Sequence, residues 1–131
     1  MDWKKIVSRV LLALYFLAIG VLCFSHFDSG MDLPATFWGI PQDKLAHFLM
    51  FLPYPILATL ALHLPAGKPR SLILFLLWVV IAGGVIAGAT ELIQGTTGYR
   101  EADIADFRAD CLGIFTGAVL TLIYGAVSRK W

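Results

Sequence analysis

This sequence has little charge. Asp, Glu, Lys and Arg make up 15% of its 131 residues and 59% are hydrophobic, whereas a soluble domain averages about 25% charged and about 45–50% apolar. That balance excludes a disordered chain, a nucleic-acid binder and most soluble enzymes. Cysteine is scarce as well. Cys23 and Cys111 stand far apart with no C-x-x-C, so neither a thiol oxidoreductase nor a structural zinc site is indicated. Both cysteines fall near expected helix ends. An oxidising compartment would permit a disulfide between them, and two small apolar core residues is the plainer reading. Internal repeats and low-complexity tracts are absent. Lys4-Lys5 before an apolar run resembles a signal peptide, but no small-x-small cleavage site follows, and bulky Leu22 spoils a lipobox at Cys23.

What is there is four long stretches without a charged side chain: residues 10–27, 45–67, 71–90 and 111–128. A membrane-crossing helix needs about 20 mostly apolar residues, within about 17–25, and all four stretches qualify. The expected fold is all-α, an integral membrane bundle of four transmembrane helices at about 7–27, 42–64, 71–94 and 104–127. These and their connections use the whole of residues 1–131 as one domain. Pro41 opens the second helix, and Pro53 with Pro55 should kink its middle. Ser25 to Ile40 reads as a loop with Gly30, Pro34 and Gly39 as breakers, and Phe37 and Trp38 suit a headgroup layer. Gly84 and Gly88, and separately Gly113 and Gly117 followed by Thr121 and Gly125, recur at the interval that lets helix backbones approach closely. They predict packing of the third helix on the fourth, with a homodimer as the second reading.

The few charges are sorted. Lys4, Lys5, Arg9, Lys68, Arg70, Arg129 and Lys130 share one side of the expected bundle with only Asp2 as an acid. Lys44, Arg100 and Arg108 share the other with Asp28, Asp32, Asp43, Glu91, Glu101, Asp103, Asp106 and Asp110. Basic residues accumulate on the cytoplasmic side. Both termini are therefore expected in the cytoplasm, and the acidic end outside.

Several polar residues interrupt the apolar helices. Asp43, Lys44 and His47 open the second helix, with Asp43 and His47 one turn apart on a shared face. Glu91 and Gln94 close the third, also on one face. Asp103, Asp106 and Asp110 share a face of the fourth, continued by Gly113 and Gly117, and Arg100 and Arg108 lie close in sequence. Three helices thus deliver polar groups to one level, and ionisable residues inside a membrane by default mark a functional site. A purely structural role stands beside that reading. Asp43, Asp103 and Asp106 could complement helix N-termini, and Lys44 and Arg100 could snorkel. Glu91 and Asp110 lie deeper than a cap, which favours function. His47 suits a catalytic base or a carboxylate partner, while His63 reads as structural and His26 carries no signal.

The string Asp43-Lys44-x-x-His47-Phe48-x-x-Phe51 resembles the opening motif of the VanZ-like family. So does Glu91-x-x-Gln94, followed by Arg100-x-x-Asp103-x-x-Asp106 and then Asp110-x-x-Gly113-x-x-x-Gly117. The resemblance runs from Asp43 to Gly117. The family generally carries asparagine where this chain has Asp110. An ionised aspartate only accepts hydrogen bonds, so Asp110 must be protonated, or pair with Arg100, Arg108 or a cation. The founding member is associated with low-level teicoplanin resistance in Gram-positive bacteria. What the resemblance implies here is an envelope-facing protein of the bacterial cell membrane, and not resistance as such.

Three functions follow as expectations. The first is a site at the outer leaflet that binds or processes a lipid-linked or other envelope substrate. His47, Glu91 and Asp106 are its catalytic candidates, and Asp43, Lys44, Gln94, Arg100, Asp103 and Asp110 its binding candidates. The second is a non-catalytic scaffold or partner-binding protein in which the polar groups form a structural network. A small transporter comes last, since the acids cluster at one end rather than at the midplane. The lipid bilayer is the expected partner and nucleic acid is not. Asp103, Asp106 and Asp110 could instead position the base or bind a divalent cation, and an oxygen-rich cluster suits magnesium or calcium, but one His among several Asp residues does not identify a metal, so no metal site and no cofactor is assigned.

Overall fold

A computed structural model describes residues 2–24, 36–97 and 103–131. Helix α1 covers Trp3–Phe24, α2 Gln42–Phe51, α3 Pro53–Leu62, α4 Pro69–Gln94 and α5 Ile104–Ser128. Strands β1 (Thr36–Phe37) and β2 (Ile40–Pro41) form a small antiparallel hairpin before α2. Arg100 and the acids Asp28, Asp32 and Glu101 lie outside the described residues, as do His26, Gly30 and Pro34.

Four spans are long and apolar enough to cross a membrane: Trp3–Cys23, Gln42–Leu62, Pro69–Gln94 and Ile104–Ser128. Their large side chains point outward in number. Leu17, Trp78, Val85, Leu92, Phe115 and Val127 are all exposed, an arrangement a bilayer solvates and water does not. The spans match the expected four, with shifted ends. The first starts about four residues earlier than expected. The third begins at Pro69, whose missing N–H suits the first helical position.

The second span differs more. The sequence predicts a single kinked helix over 42–64, and the structure interrupts it at Leu52 to give α2 and α3. Leu52 keeps a helical conformation and its N–H still bonds Phe48 O at 3.1 Å. The break follows from Pro53 and Pro55, neither of which has an N–H to continue the ladder. Neighbours brace this junction. Tyr15 of α1 donates to Met50 O at 2.6 Å, and Tyr54 donates to Val79 O of α4 at 2.9 Å. At the other end Lys5 Nζ donates to Leu60 O and His63 O, and Arg9 Nε donates to Ala61 O. Cations at a helix C-terminus satisfy its orphan carbonyls and its dipole. His63 proves structural, with Nε2 bonded to Trp131 O and its ring against Phe75.

The expected loop before α2 ends in the hairpin. Trp38 and Gly39 both adopt positive φ, 52° and 81°, the requirement of a two-residue turn whose twist matches its strands. Trp38 is fully exposed at the tip.

Packing of the small residues corrects the expectation from their spacing. Gly113 and Gly117 do not seat α4. A Cβ on Gly113 would meet the backbone of Phe48 and Leu52, and one on Gly117 would meet Leu52 O and the Pro55 ring. These glycines therefore seat the α2–α3 junction on α5. Gly84 faces open space, and Gly83 is the residue that makes room in α4, for Tyr54 and Ile114. Helices α4 and α5 do pack on each other, through Gly83 against Ile114, Gly88 against Phe107 and Gly125 against Leu72. The core around the seam comprises Ile19, Cys23, Phe51, Tyr54, Ala58, Val79, Ala87 and Ile114. No disulfide joins Cys23 to Cys111.

Candidate functional site

The first turns of α2 and α5 and the last turn of α4 meet at one end of the bundle. Gly113 lets α2 lie against α5, which carries the side chains one turn above it into register. Lys44 and His47 then reach across to the acids of α5.

Lys44 is the hub of one half of the cluster. Its Nζ lies 2.6 Å from Asp43 Oδ2, 2.7 Å from Asp103 Oδ2 and 2.5 Å from Asp106 Oδ1. An ammonium has three N–H donors, and each has a carboxylate. Lys44 is thus used up within the protein. These ion pairs brace α2 against α5. Asp103 is also the N-cap of α5, accepting from Ala105 N at 2.8 Å, as the dipole argument anticipated. The Lys44 ammonium, helped by that backbone bond, holds the Asp103 carboxyl below its ordinary range.

His47 is the hub of the other half, which is buried. Its Nδ1 lies 2.7 Å from Asp110 Oδ1, and Asp110 is wholly inaccessible. This settles the choice of partner for Asp110 among the described residues. It is His47, and Arg108 is exposed and makes no ion pair there. The opposite ring atom, His47 Nε2, lies 3.5 Å from Asp106 Oδ2. Glu91 reaches in from α4 with Oε1 3.8 Å from His47 Nδ1, while its Oε2 accepts from Asp103 N at 3.2 Å. Glu91 Oε1 and Asp110 Oδ2 are buried with no hydrogen-bond partner among the described residues.

Glu91 and Gln94 share a helix face by spacing, but their side chains go to different partners. Gln94 turns away and donates through Nε2 to Cys23 O of α1 at 2.8 Å. Its buried amide ties α1 to α4. Asp43 and His47 likewise separate, Asp43 to the exposed Lys44 side and His47 to the interior.

A cavity of about 350 Å³ opens beside the cluster between α4 and α5, lined by Gly88, Glu91, Leu92, Asp103, Ile104 and Phe107. Its walls are apolar, with the two acids at one end, and its size is within the range of small-ligand sites. Of the lining, Gly88 was marked by spacing as a packing residue. Its Cβ position meets only Phe107 at ordinary contact distance. Ile104 and Phe107 carried no sequence signal, because apolar residues in an apolar helix do not distinguish a groove from a core.

The cluster can do three things. It clamps α2, α4 and α5 together. It presents an imidazole oriented by a carboxylate, a group that takes up, gives up or ligates. It also concentrates negative charge at the mouth of an apolar groove. No family model, curated protein or solved structure matches the chain.

Proposed function

We propose that this chain is a VanZ-like protein of the bacterial cell membrane, and that its buried His47 cluster binds or processes the head of a lipid-linked envelope substrate. Both termini lie in the cytoplasm, so the cluster faces the outer leaflet. The observation that carries this reading is that Glu91 and Asp103 belong at once to the polar cluster and to the apolar groove between α4 and α5. A lipid tail lying along exposed Leu92 and Ile104 would bring its head to those two acids without leaving the membrane. His47, held by Asp110, is the acid/base or ligating group, with Asp106 and Glu91 beside it.

A structural-network reading is favoured for part of the cluster by a specific observation, the saturation of Lys44 by three aspartates. Lys44, Asp43 and Gln94 serve the frame. His47, Glu91, Asp106 and Asp110 serve the site.

The test is to fill the groove. Gly88→Leu places a side chain in it from α4, where the nearest neighbour is the Phe107 ring edge, so the helices need not move. In protein purified with native lipid, the variant is expected to lose co-purifying envelope lipid, measured by mass spectrometry, and to keep its helical content. Lipid retained at the wild-type level would sink the groove reading. Reporters fused to each terminus check the orientation, and either terminus found outside overturns it.

A further inference from the structure

We propose that His47, Glu91 and Asp106 hold a divalent first-row transition-metal ion, zinc or manganese, at the polar end of the bundle. Two sets of acids there have ligand atoms close enough to share a cation: Asp43, Asp103 and Asp106, and His47, Glu91 and Asp106, each set within 4.8 Å. The first set already has its cation, since the Lys44 ammonium lies at its centre. The second has none among the described residues. Among the described residues, five carboxylates in the combined cluster face one lysine and one histidine, and the excess negative charge falls on the buried half.

The free atoms point the same way. Each of the three side chains has one polar atom engaged and one spare. His47 gives Nδ1 to Asp110 and keeps Nε2. Glu91 gives Oε2 to Asp103 N and keeps Oε1. Asp106 gives Oδ1 to Lys44 and keeps Oδ2. Glu91 Oε1 is buried without a donor among the described residues, on a side chain only 6% exposed. A buried carboxylate oxygen left so is costly, and a cation removes the cost. His47 Nε2 and Asp106 Oδ2 are 3.5 Å apart, close to the about 3.4 Å by which an ion with bonds of about 2.1 Å separates tetrahedral ligands, and Glu91 Oε1, now 3.8 Å from His47 Nδ1 in a set spread over up to 4.8 Å, must draw in to complete the set.

The supporting contacts are those a metal site uses. A ligating histidine usually gives its other nitrogen to a carboxylate, which fixes the ring and raises its basicity, and Asp110 stands in that place. Asp103 N and Lys44 fix the two carboxylates. An imidazole with two carboxylates suits zinc or manganese, whereas magnesium and calcium prefer oxygen alone. Three protein ligands leave positions open, and Glu91 also lines the groove, so an open position is accessible from it. The inference does not depend on the lipid reading. Metal bound with no effect of Gly88→Leu on lipid would leave this standing and remove that.

The experiment uses the full chain in detergent, stripped with chelator and titrated with Zn²⁺ and with Mn²⁺ against a competing chromophoric chelator. One ion per chain is expected, not displaced by an equal concentration of Mg²⁺. Glu91→Gln and Asp106→Asn should weaken binding by more than about 100-fold, and Asp110→Asn by about 10–100-fold. Asp43→Asn, in the set that Lys44 fills, should change it by less than about threefold. In the Mn²⁺ form, nitrogen hyperfine coupling should vanish with His47→Ala. Far-UV circular dichroism checks folding. If Glu91→Gln does not fold, Asp110→Asn decides, and its unchanged affinity overturns the site. No stoichiometric binding by the wild type, binding undiminished in folded Glu91→Gln, or a loss confined to Asp43→Asn would each overturn it too.

Discussion

Adding one methyl group at Gly113 should loosen the protein and its polar cluster together, while the same change at Gly84 should do neither. The Gly113 Cβ would stand 3.2 Å from the Phe48 carbonyl carbon and 3.3 Å from Leu52 N, with Phe48 O nearer still. Carbon contacts are comfortable at about 3.5–4.0 Å. The obstacle is backbone on both sides, so no rotamer change relieves it and α2 must back away from α5. Overpacking costs about 1–3 kcal/mol, and a rigid obstacle belongs in the upper part of that range. Alanine returns up to about 1 kcal/mol of helix propensity. The net loss for Gly113→Ala is therefore about 1–2 kcal/mol. Gly84 has nothing within 4 Å of its Cβ position, so Gly84→Ala keeps the propensity gain alone. The two variants should differ by about 2–3 kcal/mol, which is roughly a 30- to 150-fold difference in the folding equilibrium. Denaturing-detergent titration in mixed micelles, followed by circular dichroism, reads the difference. His47 precedes Phe48, so the same displacement stretches its 2.7 Å contact with Asp110 and should lower metal affinity. Equal stabilities for Gly113→Ala and Gly84→Ala would refute the assignment of the seam.

Two further outcomes follow from the cluster. Asp110→Ala leaves His47 Nδ1 buried without an acceptor and should cost about 1–3 kcal/mol, whereas Asp110→Asn keeps an acceptor there and should cost clearly less; equal losses in the same unfolding titration would show that the bond to Asp110 contributes nothing. Acid should destabilise the wild type through Asp103. The Lys44 ammonium holds that carboxyl below its ordinary range, so its contribution is complete above the unfolded value of about 4 and is lost as pH falls through the folded one. Lys44→Met removes the cause, and its stability profile between about pH 2 and 5 should be flatter than that of the wild type. Parallel profiles would mean that Lys44 does not hold Asp103 down.

Sequence alone determined the class of solvent. Four charge-free stretches bounded by charged residues are legible without coordinates, because the length that spans a bilayer and its intolerance of charge are both local properties. Helix spacing also put Asp103, Asp106 and Asp110 on one face of α5, and the break at Pro53 was visible as a missing donor. Partner choice was not legible. Asp43 and His47 share a face by spacing, yet Lys44 draws one outward and Asp110 holds the other inside. Glu91 and Gln94 share another, yet one enters the cluster and the other ties α1. Likewise Gly84 and Gly113 sit in the same G-x-x-x-G pattern, and only the second meets a neighbour. Periodicity fixes which way a residue points around its own axis. What waits there depends on how the helices are set against one another, and that is decided by the fit of the Phe48–Pro55 backbone into the Gly113–Gly117 seam. The charges that looked alike in the sequence were divided by that fit into a saturated brace around Lys44 and a buried set around His47 with oxygens to spare.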